Sequence, residues 1–182
     1  MLDNMIKLLD ILENKILVPR RPREERAKNY LIAAQKKVQQ YMKDGGKGDL
    51  ELFGTPITSL PSGLSVGGYL NLSGVPITSL PSGLSVGGSL YLNSTPITSL
   101  PSGLTVGGYL DLSYTPITSL PFGLTVRGGL NLGHTKIKSL PSDLNVGDNL
   151  YLIRTPLARS HTKEQIKQMV PGVKGNIIMQ YD

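Results

Sequence analysis

At 182 residues and 19.6 kDa the chain has room for one domain with small appendages, too little for most large enzyme scaffolds. It has no Cys, which excludes disulfides, thiolate metal sites and a cysteine nucleophile and suits a reducing compartment. The net charge of +6 is uneven: residues 1–48 hold 11 Lys or Arg against 6 Asp or Glu, residues 49–156 hold 4 against 5, and residues 157–182 hold 4 against 2.

Taken in chain order, the opening MLDNMIKLLDILENK is apolar, but Asp3, Lys7, Asp10 and Glu13 interrupt it, so no export signal is expected. Ile6, Leu9, Leu12 and Ile16 fall on one helical stripe over residues 3–17. Ala27, Tyr30, Leu31, Ala34, Val38, Tyr41 and Met42 fall on another over residues 22–44, with Pro22 suited to a first helical turn and Gly45-Gly46 to a stop. Residues 1–48 are therefore predicted to form an N-terminal helical cap. They also carry the basic residues Arg20, Arg21, Arg23, Arg26, Lys28, Lys36, Lys37, Lys43 and Lys47.

From residue 49 to 156 the sequence repeats with a period of twenty. Leu50, Leu70, Leu90, Leu110, Leu130 and Leu150 open successive units, and a second Leu follows two places later in each. The unit reads LxLxxTPITSLPSGLxVGGx, with five complete copies and a sixth that breaks away after Thr155-Pro156. An L-x-L pair sends two side chains to one face of a short strand and the residue between them to the other. Pro-Ile and Leu-Pro steps favour extended backbone, because the residue before a proline is pushed out of the helical region. The Gly-Gly or Gly-Asp that follows the Val is expected to make a tight corner, one that glycine's access to φ above zero would allow, returning the chain to the next strand. A lone coil of this size buries too few side chains to offset the entropy of ordering its backbone, so the coils must stack and their ends need covers.

Beyond the repeats, Thr162-Lys163-Glu164-Gln165 has capping-box spacing before Ile166 and Met169, and Pro171-Gly172 ends that helix. Residues 175–180 are predicted to form a strand beside Leu150–Leu152, with the helix as a crossover. Residues 157–182 thus form a C-terminal cap, with His161 in the turn before the helix.

With L-x-L at the strand, I-x-x-L-P on the return and a period of twenty, residues 49–156 resemble a bacterial-type leucine-rich repeat. The S-L-P-x-x-L step, as in Ser79-Leu80-Pro81-Ser82-Gly83-Leu84, is similar to the short repeats of secreted bacterial effectors. The V-G-G-x-L-x-L-x-x-T-P-I-T-S-L-P variant is closer to short repeat proteins encoded by tailed phages and related elements. The resemblance implies an α/β solenoid with a parallel concave sheet, and by extension the cytoplasm of a bacterial or phage-infected cell. Members of that family commonly carry an Asn ladder where this chain has Thr55, Val75, Thr95, Thr115, Thr135 and Thr155, and Val75 has no side-chain donor. Effector relatives with ubiquitin-ligase activity use a separate domain with a catalytic Cys, which this sequence lacks. No enzyme activity, cofactor or metal is expected. His134 and His161 stand far apart, and V-G-G-x-L has no following helix to hold a phosphate.

If the strand leucines point inward, the concave face carries a central column of Glu51, Asn71, Tyr91, Asp111, Asn131 and Tyr151. Before it stand Asp49, Tyr69, Ser89, Tyr109, Gly129 and Asn149; after it, Phe53, Ser73, Asn93, Ser113, Gly133 and Ile153, with Tyr114, His134 and Arg154 at the edge. The convex side repeats Thr-Ser-Leu-Pro-Ser-Gly with little change, apart from Phe122 in place of a Ser. A varied face rich in Tyr and Asn beside a monotonous one suggests recognition. The candidate contacts are Tyr69, Asn71, Tyr91, Asn93, Tyr109, Asp111, Tyr114, Asn131, His134, Tyr151 and Arg154. The expected role is a protein-binding module that blocks a host protein. Two alternatives stand beside it. One is nucleic-acid association through the basic helices, with Arg20, Arg21, Arg23, Arg26, Lys36 and Lys37 at phosphates. The other is self-association through sheet edges. No membrane span is expected, since Pro and Gly recur every few positions even in the uncharged run from Leu52 to Leu110.

Overall fold

Twenty residues per coil and six strands at the same phase give a parallel β-solenoid, seen in a computed structural model that describes residues 23–180. It begins with α1 (Arg23–Lys43). Each coil then places a two-residue strand at its L-x-L step: β1 (Leu50–Glu51), β3 (Leu70–Asn71), β5 (Leu90–Tyr91), β7 (Leu110–Asp111), β9 (Leu130–Asn131) and β11 (Leu150–Tyr151). These pair in parallel and in register, Leu on Leu, and β12 (Ile177–Ile178) extends the sheet to seven strands with Ile177 opposite Leu150. The strand leucines, the Ile of each Pro-Ile step and the Val of each Val-Gly step share one continuous apolar core.

A second sheet went unforeseen. Ser65–Val66 (β2), Ser85–Val86 (β4), Thr105–Val106 (β6), Thr125–Val126 (β8) and Asn145–Val146 (β10) pair in parallel as five strands. The signal was present in the sequence: a β-branched Val points inward at each of these positions and a small polar residue points out.

The glycines behave differently from expectation. None of the Gly-Gly pairs from Gly67 to Gly129 has positive φ. They lie flush against the previous coil: a Cβ on Gly88 would sit 2.7 Å from the carbonyl carbon of Gly68, and one on Gly128 2.9 Å from that of Gly108. Positive φ occurs instead after the strand, at Gly54 and Gly74, and within the Pro-Ser-Gly turn, as at Gly83 (78°).

The Thr column forms no ladder between coils. Each hydroxyl donates within its own coil to the carbonyl of the second strand Leu, as Thr115 Oγ1 does to Leu112 O at 2.6 Å. Val75 keeps the matching backbone bond to Leu72 O at 3.1 Å, so the coil closes without the hydroxyl.

At the leading end, α1 lays Ala34 and Val38 on the core, and Lys37 Nζ donates to Glu51 O at 2.6 Å. Tyr41 Oη lies 2.7 Å from both Gly46 O and Gly48 O, and burial pushes its phenol pKa up. Ala27 and Tyr30, expected on the packed stripe, are exposed; the stripe over residues 3–17 lies outside the described residues. At the trailing end, a short helix not anticipated from the sequence, α2 (Pro156–Ser160), is capped by the Thr155 hydroxyl and ends at His161. Helix α3 (Lys163–Met169) follows, with the Thr162–Gln165 capping box in place. Among the described residues no helix is long and apolar enough to cross a membrane.

Candidate recognition surface

Leucines turned inward on both sides of Glu51, Asn71, Tyr91, Asp111, Asn131 and Tyr151 force these residues onto the outer face of the long sheet, and parallel register sets them side by side. Glu51 is exposed and the other five are half-buried by their neighbours. The tyrosines of this column and the one before it form a continuous row. Ring centroids are 6.2 Å apart for Tyr69–Tyr91, 6.5 Å for Tyr91–Tyr109 and 6.4 Å for Tyr109–Tyr151, the first and last being edge-to-face. This is the offset geometry that aromatic quadrupoles prefer.

Tyr109 reaches Tyr151, two coils on, because the intervening position is Gly129. A Cβ there would stand 3.1 Å from Cδ2 and Cε2 of the Tyr109 ring. Burial, and next the nearby Asp111 carboxylate, push the Tyr109 phenol up to about 12, against a smaller opposing effect of its hydrogen bond with Asn131. At the first coil, Tyr69 Oη donates to Glu51 Oε2 at 3.2 Å, and that bond raises the Tyr69 phenol.

The amide and carboxylate members of the central column are less free than their exposure suggested. Asn71, Asp111 and Asn131 each turn Oδ1 onto the backbone N–H two residues ahead, at Ser73 (3.0 Å), Ser113 (2.9 Å) and Gly133 (2.9 Å). This is the turn that Asn and Asp side chains make with their own backbone, so part of their hydrogen-bonding capacity serves the fold. The column after it is also corrected: Ser73, Ser113, Gly133 and Ile153 are buried, leaving Phe53 exposed and Asn93 half-exposed. Asn93 Oδ1 lies 2.6 Å from Ser73 Oγ.

The edge residues occupy the corner after the strand, at the phase where Gly54 and Gly74 have positive φ. Ser94, Tyr114, His134 and Arg154 hold φ of 60°, 58°, 60° and 57°. For an L residue this conformation costs about 1–2 kcal/mol, and only Gly, Asn and Asp visit it routinely. Nothing in the periodicity marks this strain; the change at one phase from Gly54 and Gly74 to larger residues in the next four coils was its only trace. Tyr114 and His134 stack at 4.2 Å with 15° between planes, and Tyr114 is 58% exposed. His134, expected at this edge, thus has Tyr114 as its stacking neighbour. Phe122 is exposed on the turn at the far side of its coil.

Of the basic set, Arg20 and Arg21 lie outside the described residues and Arg23 opens α1. Arg26 and Lys36 are exposed on α1, whereas Lys37 is tied to Glu51 O. The structure therefore gathers the tyrosines, Asn71, Asp111, Asn131 and the Tyr114–His134–Arg154 edge on the long sheet and its border, and of the described members of the α1 basic set only Lys37 contacts that column, at Glu51 O.

Fold and surface define a parallel β-solenoid with an aromatic row on its longer sheet. Compared with protein families, curated proteins and solved structures, the chain matches no family model, no curated protein and no solved structure.

Proposed function

We propose that the chain is a solenoid of the leucine-rich-repeat kind that acts without catalysis, docking a protein on the outer face of its seven-stranded sheet. The observation that carries this reading is the unbroken row of Tyr69, Tyr91, Tyr109 and Tyr151 on a surface whose side chains change from coil to coil. Tyr supplies contact area with few rotatable bonds and a polar tip, so little entropy is lost when it is covered. The opposite side repeats one motif with few departures, Phe122 in one coil and Lys136, Lys138 and Asp143 in the next, and so offers a partner less to distinguish one coil from another. Helix α1 at one end and the α2–α3–β12 segment at the other serve as covers for the stack. The resemblance to phage-encoded repeats supports a host protein as the partner, a blocking mode of action and the cytoplasm of a bacterial or infected cell as the setting.

The test is capture of proteins from a bacterial lysate by the parent chain and by a Tyr91→Thr/Tyr109→Thr variant, with thermal midpoints measured for both. A species retained by the parent and lost by the variant at unchanged midpoint supports the reading. Equal capture by the two rejects it. Nucleic acid retained in a strongly salt-dependent way, and released on neutralising Arg26, Lys28 and Lys36, would favour the basic helix instead.

A further inference from the structure

One corner of the solenoid works against its own backbone preference. Ser94, Tyr114, His134 and Arg154 sit at left-handed φ, where the first two coils use Gly54 and Gly74. A Cβ on either glycine would meet nothing within 4 Å, so side chains at this phase point into open space. The corner's hydrogen bonds do not require them either, since the donors are backbone N–H groups: Tyr114 to Gly133 O at 3.0 Å and His134 to Ile153 O at 2.8 Å. Glycine would be the unstrained residue at all six coils. Large side chains persist in the last three despite this, and strain of this sort points from an observed outlier to a use.

The chemistry of the corner is aromatic and cationic. One face of Tyr114 lies on His134, and the corner on its other side carries only the Ser94 side chain, then Gly74 and Gly54. Residues 112–142 and 149–163 contain no Asp or Glu. Leu157 N–H donates to Ile137 O at 3.1 Å, which places the first turn of α2, the five-residue helix that carries Arg159, against the backbone between Lys136 and Lys138. Lys136, Lys138, Arg154 and Arg159 are exposed and form no ion pair with any described residue. Along the same sheet toward α1, the charges reverse to Asp111, Glu51 and Asp49. A continuous phosphate backbone crossing the tyrosine row would meet those carboxylates; separate acidic side chains reaching only the corner would not.

We propose that the corner of Tyr114, His134 and Arg154, with Lys136 and Arg159 beside it, takes an acidic segment of the docked protein. Its carboxylates meet Arg154, Lys136 and Arg159, and a planar side chain stacks on the open face of Tyr114. This rests on the sheet face being a protein-docking surface and adds the partner's chemistry to it.

The experiment measures fluorescence anisotropy with three labelled probes: a random copolymer of Glu and Tyr, polyglutamate, and a single-stranded oligothymidylate. The copolymer is expected to bind about tenfold more tightly than polyglutamate, and Arg154→Gln or Tyr114→Gly to weaken it by about tenfold each. Tyr114→Gly removes strain, and thermal midpoints check that both variants fold. Corner variants that bind like the parent, while Tyr91→Thr/Tyr109→Thr does not, overturn this proposal and leave the sheet reading standing. Indifference to all of these substitutions sinks both. Failure of the parent to bind the copolymer at high micromolar concentration, or tighter corner-dependent binding of oligothymidylate, also overturns it.

Discussion

Each coil of the solenoid turns twice around its long-sheet strand, and in the sequence both corners look like ordinary glycine turns. In the corner before the strand, Gly87–Gly88 and Gly107–Gly108 are pressed against the backbone of the previous coil without positive φ. In the corner after it, Gly54 and Gly74 have positive φ and nothing around them. The first corner lacks room for a side chain; the second has room but a backbone that resists one. A steric veto holds a column to one residue, with Arg127 and Asp148 as the departures in the later coils. A conformational preference can be overridden at modest cost, and only the second corner has been filled in four successive coils.

The sharpest way to break this contrast is to add one methyl group to each corner. Gly88→Ala would place Cβ within 3 Å of three backbone atoms of the preceding coil, and because backbone yields less than a side chain it is expected to destabilise by about 2–3 kcal/mol, the upper part of the overpacking range. Gly74→Ala meets no atom and should cost about 1 kcal/mol, the left-handed backbone alone. Urea unfolding of the two variants measures the difference. Equal losses would mean that both corners are conformational and that the coils do not press on one another.

A smaller effect of opposite sign tests the second corner. Arg154 is exposed and makes no ring contact, so Arg154→Gly removes strain and no packing. It should raise stability by about 1 kcal/mol. His134→Gly should gain less, because it also gives up the stack on Tyr114, a contact of about 0.5–1.5 kcal/mol. A drop in stability for Arg154→Gly would show that this side chain supports the fold, and would remove the reason for assigning it to a partner.

How far the sequence could be read follows from these same residues. The leucine period was legible because every coil repeats the same burial, and pairing of Leu50, Leu70 and the rest in register needs nothing more. The second sheet was hidden because its strands are two residues long and Ser-Val before Gly-Gly reads as the approach to a turn. Glycine has two uses, freedom of φ and absence of Cβ, and composition cannot separate them; only the neighbouring coil shows that Gly88 serves the second. On the candidate surface the columns followed from alternation, but the side-chain turns of Asn71, Asp111 and Asn131 did not, since solvent exposure and a local hydrogen bond demand the same residue types. The tyrosine row was only half visible. Its members come from two columns and meet because Gly129 clears the way, a contact between coils that no single repeat encodes.

Gly129 also links the first corner to the surface and supplies the smallest effect. It stands just before its strand, and its missing side chain lets the Tyr109 ring settle over it. In that position the folded chain keeps the Tyr109 phenol protonated to about pH 12, whereas an unfolded tyrosine ionises near 10. Below pH 10 the stabilisation that accompanies this shift is fully present. Between about 10 and 12 the unfolded chain has lost a proton that the folded chain still holds, so stability falls as pH rises, and the contribution is gone above 12. Absorbance at alkaline pH should show a tyrosine ionising near 12, beyond the raised Tyr41 and Tyr69, and Tyr109→Phe should delete that step. Gly129→Ala should move the same step down by pushing the ring outward toward water. A late step that survives Gly129→Ala unchanged would mean that Tyr109 is buried by its tyrosine neighbours and not by the space this glycine leaves, which would confine the role of the first corner to coil stacking.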